Sequence, residues 1–578
     1  TDFLLILGGN PAVSNGSLMT APDVAGRLRA IRKRGGRVIL IDPRRTETAR
    51  LADQHIFIRP GTDVLFLLAI LNIIYAENRI KLDRLAEFTE GVEVIGKLVA
   101  DFSPEKIAPI TGIRAEQVRE LARDFTAAKT AVCYGRIGVS TQEFGAACQW
   151  LINVLNIVTG NLDRPGGAMF TKPAFDAVAA PQALTPRGSY GRWHSRVRKL
   201  PEFGGELPVA ALGEDILTPG KDQIKAVITS AGNPVLSTPN GRQLDRAFAG
   251  LEFMASIDFY INETTRHANI ILPPTAALEH DHYDLAFHVL AIRNTAKYSP
   301  PLFAPQENTR HDWQIFLELQ TRMESKGVAN SLLAKTKRSI AGRFFSPSRL
   351  VDLGLRFGPY GNRFKPFSSG LTLAKLKESP HGIDFGPLKS CFPERLCTPS
   401  KRILLAPEPL VKDIERVKAR LLESSMDQRP YDLLLIGRRQ LRSNNSWMHN
   451  SERLVKGPPR CTLLMNPSDA ADRDILMGQP VQVRSATGSI EIPVEICEDI
   501  MPGVISIPHG WGHDRSGVRI GVAEQHAGVS INDLTDDQSI DALCGTAAFN
   551  GTWVSVGKIV TNETRGVIED HEALTTLR

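Results

Sequence analysis

An aspartate that ends a run of apolar residues, with arginines directly after it, is a pattern able to hold a nucleotide. Val38 to Ile41 is wholly apolar and β-branched at three of four positions, and Asp42-Pro43-Arg44-Arg45 follows. Such a run reads as a strand buried on both faces. Pro43 stops it by removing a ladder donor and fixing φ. An acid at the carboxyl end of a parallel strand lies in the crevice where open α/β sheets bind ligands. There it can accept hydrogen bonds from ribose hydroxyls or base N–H groups, and Arg44 and Arg45 can face phosphate. A plain strand end with solvated charges has the same composition, so this stretch alone leaves both readings open.

The pattern returns far along the chain. Phe253-Met-Ala-Ser-Ile-Asp258 is again a strand ending in Ile-Asp, and Glu263-Thr264 stands at the offset from Asp258 that Glu47-Thr48 has from Asp42. Ala268-Asn269 likewise matches Ala52-Asp53. Upstream, Leu4-Leu-Ile-Leu-Gly-Gly-Asn-Pro11 is echoed by Ala226-Val-Ile-Thr-Ser-Ala-Gly-Asn-Pro234. Each half therefore pairs a strand running into Gly-Asn-Pro with a second strand ending in Ile-Asp. The same two patterns in the same order imply two related nucleotide-type sites.

The elements that must position these residues follow from periodicity. Phe3 to about Gly160 alternates strand and helix, as a parallel α/β sheet does. Strand Phe3–Leu7 is followed by helix Pro22–Arg34, with Gly35 ending it. No G-x-G-x-x-G follows the first strand, so the nicotinamide dinucleotide fingerprint is absent. Pro60-Gly61 is a turn and Thr62-Asp63 opens an apolar helix, where Asp63 is equally a helix cap or a ligand contact. Gly135-Arg-Ile-Gly138 to Gln142 is a glycine loop ahead of a long helix, and Gln142 could read a base edge or cap that helix. Residues 174–222 are rich in Pro, Gly, Arg and Ala and read as a surface excursion. Glu279-His-Asp-His282 has metal-ligand composition but no familiar zinc spacing, and a polar loop is preferred. Residues 326–425 read as an irregular wrapping segment. From about Tyr431, short β-rich runs (Leu433–Ile436, Thr462–Met465, Val481–Arg484, Ile490–Ile496, Val504–Ile507) suggest a barrel-like domain. Trp447, Met448 and His449 fall in a polar loop, and His509-Gly-Trp-Gly-His513 reads as an exposed loop; both are candidate ligand edges. The expected division is 1–165 and 166–325 as two α/β nucleotide domains, 326–425 as the wrap, and 426–578 as the barrel.

Bulk properties narrow the class. With 578 residues, 42% hydrophobic and 23% charged, the chain is an ordinary globular protein of several domains. A net charge of +6 is slight at this size and excludes a nucleic-acid footprint. The longest apolar run, Val64 to Tyr75, is too short to span a bilayer. The seven cysteines form no C-x-x-C pair, which speaks against an iron–sulfur or zinc site in this stretch. Scattered, odd-numbered cysteines suit a reducing compartment, so a cytoplasmic location is expected, with a periplasmic one left open.

Taken together, these residues resemble the molybdopterin oxidoreductase superfamily, the group of dimethyl sulfoxide reductase, formate dehydrogenase and periplasmic nitrate reductase. The resemblance rests on Gly9-Asn-Pro11, Ile41-Asp-Pro-Arg44, Thr48-Ala49 and Ala52-Asp53. Arg59-Pro-Gly-Thr-Asp63, Thr159-Gly-Asn161 with Arg164-Pro-Gly-Gly167, and the second Gly-Asn-Pro with Asp258 extend it. In the C-terminal part it is carried by Gly437-Arg438, Pro467-Ser-Asp-Ala470, Gly478 and Asn532-Asp533. It implies an α/β fold with two parallel-sheet nucleotide-binding domains related by a pseudo-twofold, plus a C-terminal β-barrel. It also implies one molybdenum or tungsten held between two molybdopterin guanine dinucleotides. By resemblance, Asn10, Pro11, Asp42, Pro43, Arg44, Gly61 and Asp63 would serve one guanosine end, and Gly232, Asn233, Asp258 and Thr264 the other. Gly138, Gln142, Arg438, Asn444 and Asn532 would lie along the pterins.

The resemblance further implies two-electron redox chemistry on a small substrate, often with transfer of an oxygen atom, and an electron-transfer partner protein or subunit. Family members begin with a cysteine-rich [4Fe–4S] segment and a Cys, selenocysteine or Ser that ligates the metal. Both are expected upstream of Thr1, so no metal ligand or catalytic residue is assigned within the chain. The alternative is a non-catalytic scaffold like the large iron–sulfur subunit of respiratory complex I. Retention of both Asp42 and Asp258 and of the barrel argues against it. Formate is not the expected substrate, because Ala168-Met-Phe-Thr-Lys-Pro173 offers only Lys172 where those dehydrogenases carry an arginine. A lysine lacks the planar fork that grips a carboxylate.

Overall fold

A computed structural model describes residues 1–14, 16, 20–179, 188–324, 346–423 and 431–559. Parts of the surface excursion (180–187) and of the wrapping segment (325–345, 424–430) lie outside the described residues.

The first sheet contains β1 (Phe3–Leu7), β2 (Arg37–Ile41), β3 (Gln54–Ile56) and β4 (Ala131–Gly135), all parallel in the order β3-β2-β1-β4. Its strands are short and apolar on both faces because both faces are covered. Leu5, Leu7, Ile39 and Ile41 pack in one core with the nearly wholly buried helix Asp63–Ala76 and with helix Gly145–Val158. Ile6, Val38 and Leu40 pack with Leu28 and Ile31 of helix Val24–Lys33 on the other face. That last helix begins two residues later than Pro22 suggests, because the Asp23 side chain accepts from Gly26 N and caps it.

The second sheet repeats the first in three strands. β5 (Ala226–Ser230), β6 (Phe253–Ile257) and β7 (Ile270–Ile271) are parallel in the order β7-β6-β5, the arrangement of β3-β2-β1. Helix Gly241–Ala249 covers one face through Leu244, Ala247 and Phe248. The other face carries exposed Ile228, Phe253 and Ile270, which explains why this half alternates more than the first.

The wrapping segment is more regular than its composition suggests. It contains helix Pro347–Phe357, and its strand Ile383–Pro387 pairs antiparallel with Arg293–Ala296. Helix Glu408–Val417 places Ile414 and Val417 in the core of the first domain. The C-terminal unit is a closed barrel of β8 (Leu433–Arg438), β9 (Leu463–Met465), β10 (Pro480–Arg484), β11 (Ser489–Ile496), β12 (Val504–Pro508) and β13 (Thr552–Lys558). The last strand is absent from the sequence reading, and it closes the barrel by pairing with both β8 and β10. Among the described residues no helix is long and apolar enough to cross a membrane.

Candidate nucleotide-cofactor site

The repeated Gly-Asn-Pro and Glu-Thr motifs form one structural device, built twice. In the first half, Asn10 Nδ2 donates to Glu47 Oε2 at 2.7 Å, Thr48 Oγ1 donates to Asn10 Oδ1 at 2.8 Å, and Ala12 N donates to Thr48 Oγ1 at 3.1 Å. In the second, Asn233 Nδ2 donates to Glu263 Oε2 at 2.6 Å, Thr264 Oγ1 to Asn233 Oδ1 at 2.7 Å, and Val235 N to Thr264 Oγ1 at 3.1 Å. Pro11 and Pro234 then open matching one-turn helices. The echo of Ala-Asp and Ala-Asn is structural too. Asp53 Oδ2 accepts from Val38 N and Asn269 Oδ1 from Met254 N, both at 2.8 Å, pinning the start of the acid-bearing strand. The amides of Asn10 and Asn233 thus shape their loops, and Thr264 is fully buried in the same role.

The acids end their strands as expected. Asp42 Oδ1 accepts from Arg44 N at 2.9 Å, and burial pushes its pKa up to about 7, with Arg44 opposing the rise. Asp258 Oδ1 accepts from Phe259 N at 2.6 Å and Oδ2 from Asn262 Nδ2 at 3.2 Å, and its pKa is likewise raised by burial. Asp258 lines a cleft with Gly232, Asn233, Phe259, Tyr260 and Trp447. A carboxylate acceptor and aromatic side chains lining one cleft are groups that can pair with a purine's edge N–H and stack on its ring.

The barrel docks at both halves. Met501 N donates to Pro43 O at 3.0 Å and Arg45 N to Asp499 O at 2.7 Å. In the second half, Arg519 N donates to Ile261 O at 2.8 Å. Asn532 is fully buried and its Nδ2 donates to Leu236 O at 2.7 Å, so it ties the barrel to the second Gly-Asn-Pro turn. Arg515 adds an ion-pair bridge, reaching Asp245 at 2.9 Å and Asp533 at 2.8 Å. Arg438 is buried across three barrel strands, donating to Ser506 O and Thr462 O, and burial lowers its pKa to about 10.

Other candidates fall in place less directly. Asp63 is the first residue of its helix, and its carboxylate pairs with a side chain far along the sequence. It is buried, Gln142 Nε2 donates to its Oδ2 at 2.7 Å, and burial raises its pKa to about 6. Gln142 also donates to Gly138 O at 2.7 Å, so the two candidates lock each other. Gly138 is a close-packing residue: a Cβ there would lie 2.7 Å from the Gly8 backbone. Gly61 turns the chain at φ +83 with open space around it. Asn444 is exposed in a loop at positive φ. In the Glu279–His282 stretch, Asp281 is occupied by Tyr298 and Ser348 hydroxyls, and the described residues assemble no group of three metal-ligating side chains.

The His509–His513 loop departs from expectation. Rather than exposed, Trp511 and His513 are buried, as is His449 from the neighbouring loop. His513 Nδ1 lies 2.8 Å from Glu263 Oε1, His449 Nδ1 lies 2.9 Å from His513 Nε2, and the His449 ring stacks on Trp511 at 4.0 Å. Nothing in local sequence signals this line; only the Glu263-Thr264 echo points to its first member. His449 Nε2, Trp511 Nε1 and Ser530 Oγ are buried without hydrogen-bond partners. Unsatisfied donors and acceptors at a barrel mouth suit a polar heterocycle, so these residues fit the pterin cofactor that the resemblance implies.

Fold and site together define a chain of two related α/β halves, each hydrogen-bonded to a C-terminal barrel. The chain belongs to the molybdopterin oxidoreductase family. The family described as "Molybdopterin oxidoreductase" matches residues 1–322, and "Molydopterin dinucleotide binding domain" matches 433–553. The chain is 29% identical to formate dehydrogenase H of Escherichia coli over 56% of its own length and 45% of that protein's. It is 24% identical to the dimethyl sulfoxide/trimethylamine N-oxide reductase of Cereibacter sphaeroides, over 89% and 66% of the two lengths. It therefore spans less than half of the first of these relatives and about two thirds of the second. The fold is shared with acetylene hydratase from Pelobacter acetylenicus, with a TM-score of 0.72 at 17% identity, covering 96% of this chain and 78% of that one.

Proposed function

We propose that this chain is the cofactor-holding body of a molybdenum or tungsten oxidoreductase acting on a small substrate. It binds two molybdopterin guanine dinucleotides, one guanosine end at Asp42 and the other at Asp258. The observation that carries this reading is the duplicated Asn–Thr–Glu latch, which sets a Gly-Asn-Pro loop beside each strand-end acid, with the barrel bonded to both halves. When bound, the cofactor supplies two-electron chemistry at its metal, and the protein supplies orientation and electrostatics.

This chain's residues do three things in that account. The acids accept hydrogen bonds from base or ribose. The aromatic walls at Phe259, Tyr260 and Trp447 exclude water from the second base. The buried polar atoms of the barrel mouth orient the ring system. Electrons pass to a partner protein or subunit. Formate is disfavoured as substrate despite the formate dehydrogenases among the relatives. Lys172, the cation after the Thr159–Gly167 turn, is exposed and cannot grip a carboxylate as a buried arginine does. Elemental analysis of the native holoprotein tests the reading. It predicts one molybdenum or tungsten per chain, and a metal-free protein of full cellular occupancy would overturn it in favour of a scaffold.

A further inference from the structure

A second cleft, of about 500 Å³, opens where the chain after the first Gly-Asn-Pro turn meets residues 287–295 beyond the second sheet. That volume falls in the range of small-molecule sites, roughly 300–1,000 Å³. Neither strand-end acid lines it. Ala21 and Pro22 from the first half, and Phe287 and Ile292 from the second, give it apolar walls. Phe287 is 41% exposed, so an apolar ligand in the cleft would take a large aromatic face out of water. The walls are held in place from behind. Thr20 Oγ1 donates to Phe287 O at 3.0 Å, tying the two sides together, and Asp284 Oδ1 accepts from Phe287 N at 2.7 Å. Thr171 Oγ1 donates to Val289 O at 2.5 Å, and strand Arg293–Ala296 is paired with Ile383–Pro387. The cleft is therefore preorganised rather than a gap between loose loops.

Its polar lining is rich in donors. Arg27, Arg293 and Thr295 line it, and no acidic side chain does. Arg293 engages Asp384 through Nε at 3.2 Å and Nη2 at 2.6 Å, which fixes its guanidinium and balances its charge. Arg27 Nε donates to Pro22 O at 2.8 Å, and among the described residues Arg27 makes no ion pair. It is the uncompensated cation of the cleft. Behind Thr295, His288 Nε2 accepts from Lys297 N at 3.3 Å, and burial keeps the ring neutral. Its proton therefore sits on Nδ1, 3.4 Å from Thr295 Oγ1, which leaves the threonine's own proton for a ligand.

We propose that this cleft binds an organic carboxylate whose apolar body is about the size of an aromatic ring. The body lies against Phe287 and Ile292, and the carboxylate is held by Arg27, with Thr295 and Arg293 offering further donors. The lining decides between ligand classes. A cation meets two guanidiniums and no acid. An ion as small as formate leaves the apolar walls wet. A polyphosphate brings more charge than one uncompensated arginine offsets. This site goes beyond the cofactor reading and does not depend on it.

The test is a ligand-detected NMR titration of the native holoprotein at neutral pH with sodium benzoate. Benzyl alcohol, which keeps the ring, and acetate, which keeps the charge, are the controls. Benzoate is expected to bind with a Kd of about 1 mM or below, and each control at least about tenfold more weakly. Arg27→Gln, a change at an exposed position outside the latch, should weaken benzoate about tenfold and leave benzyl alcohol unchanged. Phe287→Ala should weaken both. No benzoate binding at about 10 mM, equal affinity for benzoate and either control, or benzoate affinity untouched by either substitution overturns the proposal. Metal content measured on the same samples separates this result from the cofactor reading. A metal-free protein that binds benzoate as expected overturns that reading alone, and a metal-replete protein that does not bind it overturns this one alone.

Discussion

The first and second half-sites share a latch and differ in what closes it. Glu47 is 52% exposed at its side chain and, beyond the Asn10 amide, meets Arg44 at 3.5 Å, whereas Glu263 is fully buried and continues into His513 and His449. The common part, Asn with Thr and the strand-pinning Asp53 or Asn269, fixes backbone and is indifferent to surroundings. The closing partner sets the electrostatics. An exposed carboxylate is solvated and screened, so its pairing matters little. A buried one must be fully hydrogen-bonded, so its partners become obligatory. The strand-end acids differ as well: Arg44 N is the hydrogen-bonding partner of Asp42, while Asp258 is held by Phe259 N and the Asn262 amide.

The largest test of this contrast is a pair of truncations in the cofactor-free protein. Glu263→Ala strands His513 and the Asn233 amide in a dry interior and should cost about 3–5 kcal/mol. Glu47→Ala removes a solvated carboxylate and should cost about 1 kcal/mol or less. Denaturant unfolding monitored on the second domain and on the first reads the two losses. Equal costs would erase the distinction between the halves.

A smaller effect comes from Asp42, which is partly open to solvent. Its folded pKa of about 7 lies above its ordinary 3.8, so the unfolded chain gives up this proton first as pH rises. The contribution is therefore fully present below pH about 4 and is lost as pH rises to about 7. Asp42→Asn should flatten that part of the cofactor-free stability profile and raise the melting temperature above neutral pH. A profile unchanged by the substitution would show that Asp42 ionises freely in the fold.

Much of this was legible in the sequence because duplication turns a weak signal into a specific one. Asp42 and Asp258 stand where the paired patterns place them, and Glu47-Thr48 and Glu263-Thr264 make the same contacts at the same offset. The strands of the first sheet were legible because burial on both faces leaves continuous apolar runs such as Val38–Ile41. The pairing of Asp63 with Gln142 was not legible, since a contact between side chains 79 residues apart leaves no local trace. The His509–His513 loop was misread for the opposite reason: its Gly and His composition is that of a surface turn. The packing of Trp511 into the barrel core and against His449, with His513 bound to Glu263, carries it inside. Strand Thr552–Lys558 was missed because its alternation rests on two buried residues alone, Val554 and Val556, while barrel closure supplies the pairing that sequence alone does not.

The central claim is that one chain holds two nucleotide ends at two related acids, and counting nucleotides in variants tests it most directly. Acid hydrolysis should release two GMP per chain from the wild-type holoprotein. Asp42→Ala and Asp258→Ala should each release one, since losing a charge-assisted hydrogen bond costs about 1.5–3 kcal/mol at that site, and the double variant none. A single GMP in wild type, or two retained when both acids are gone, would contradict the account.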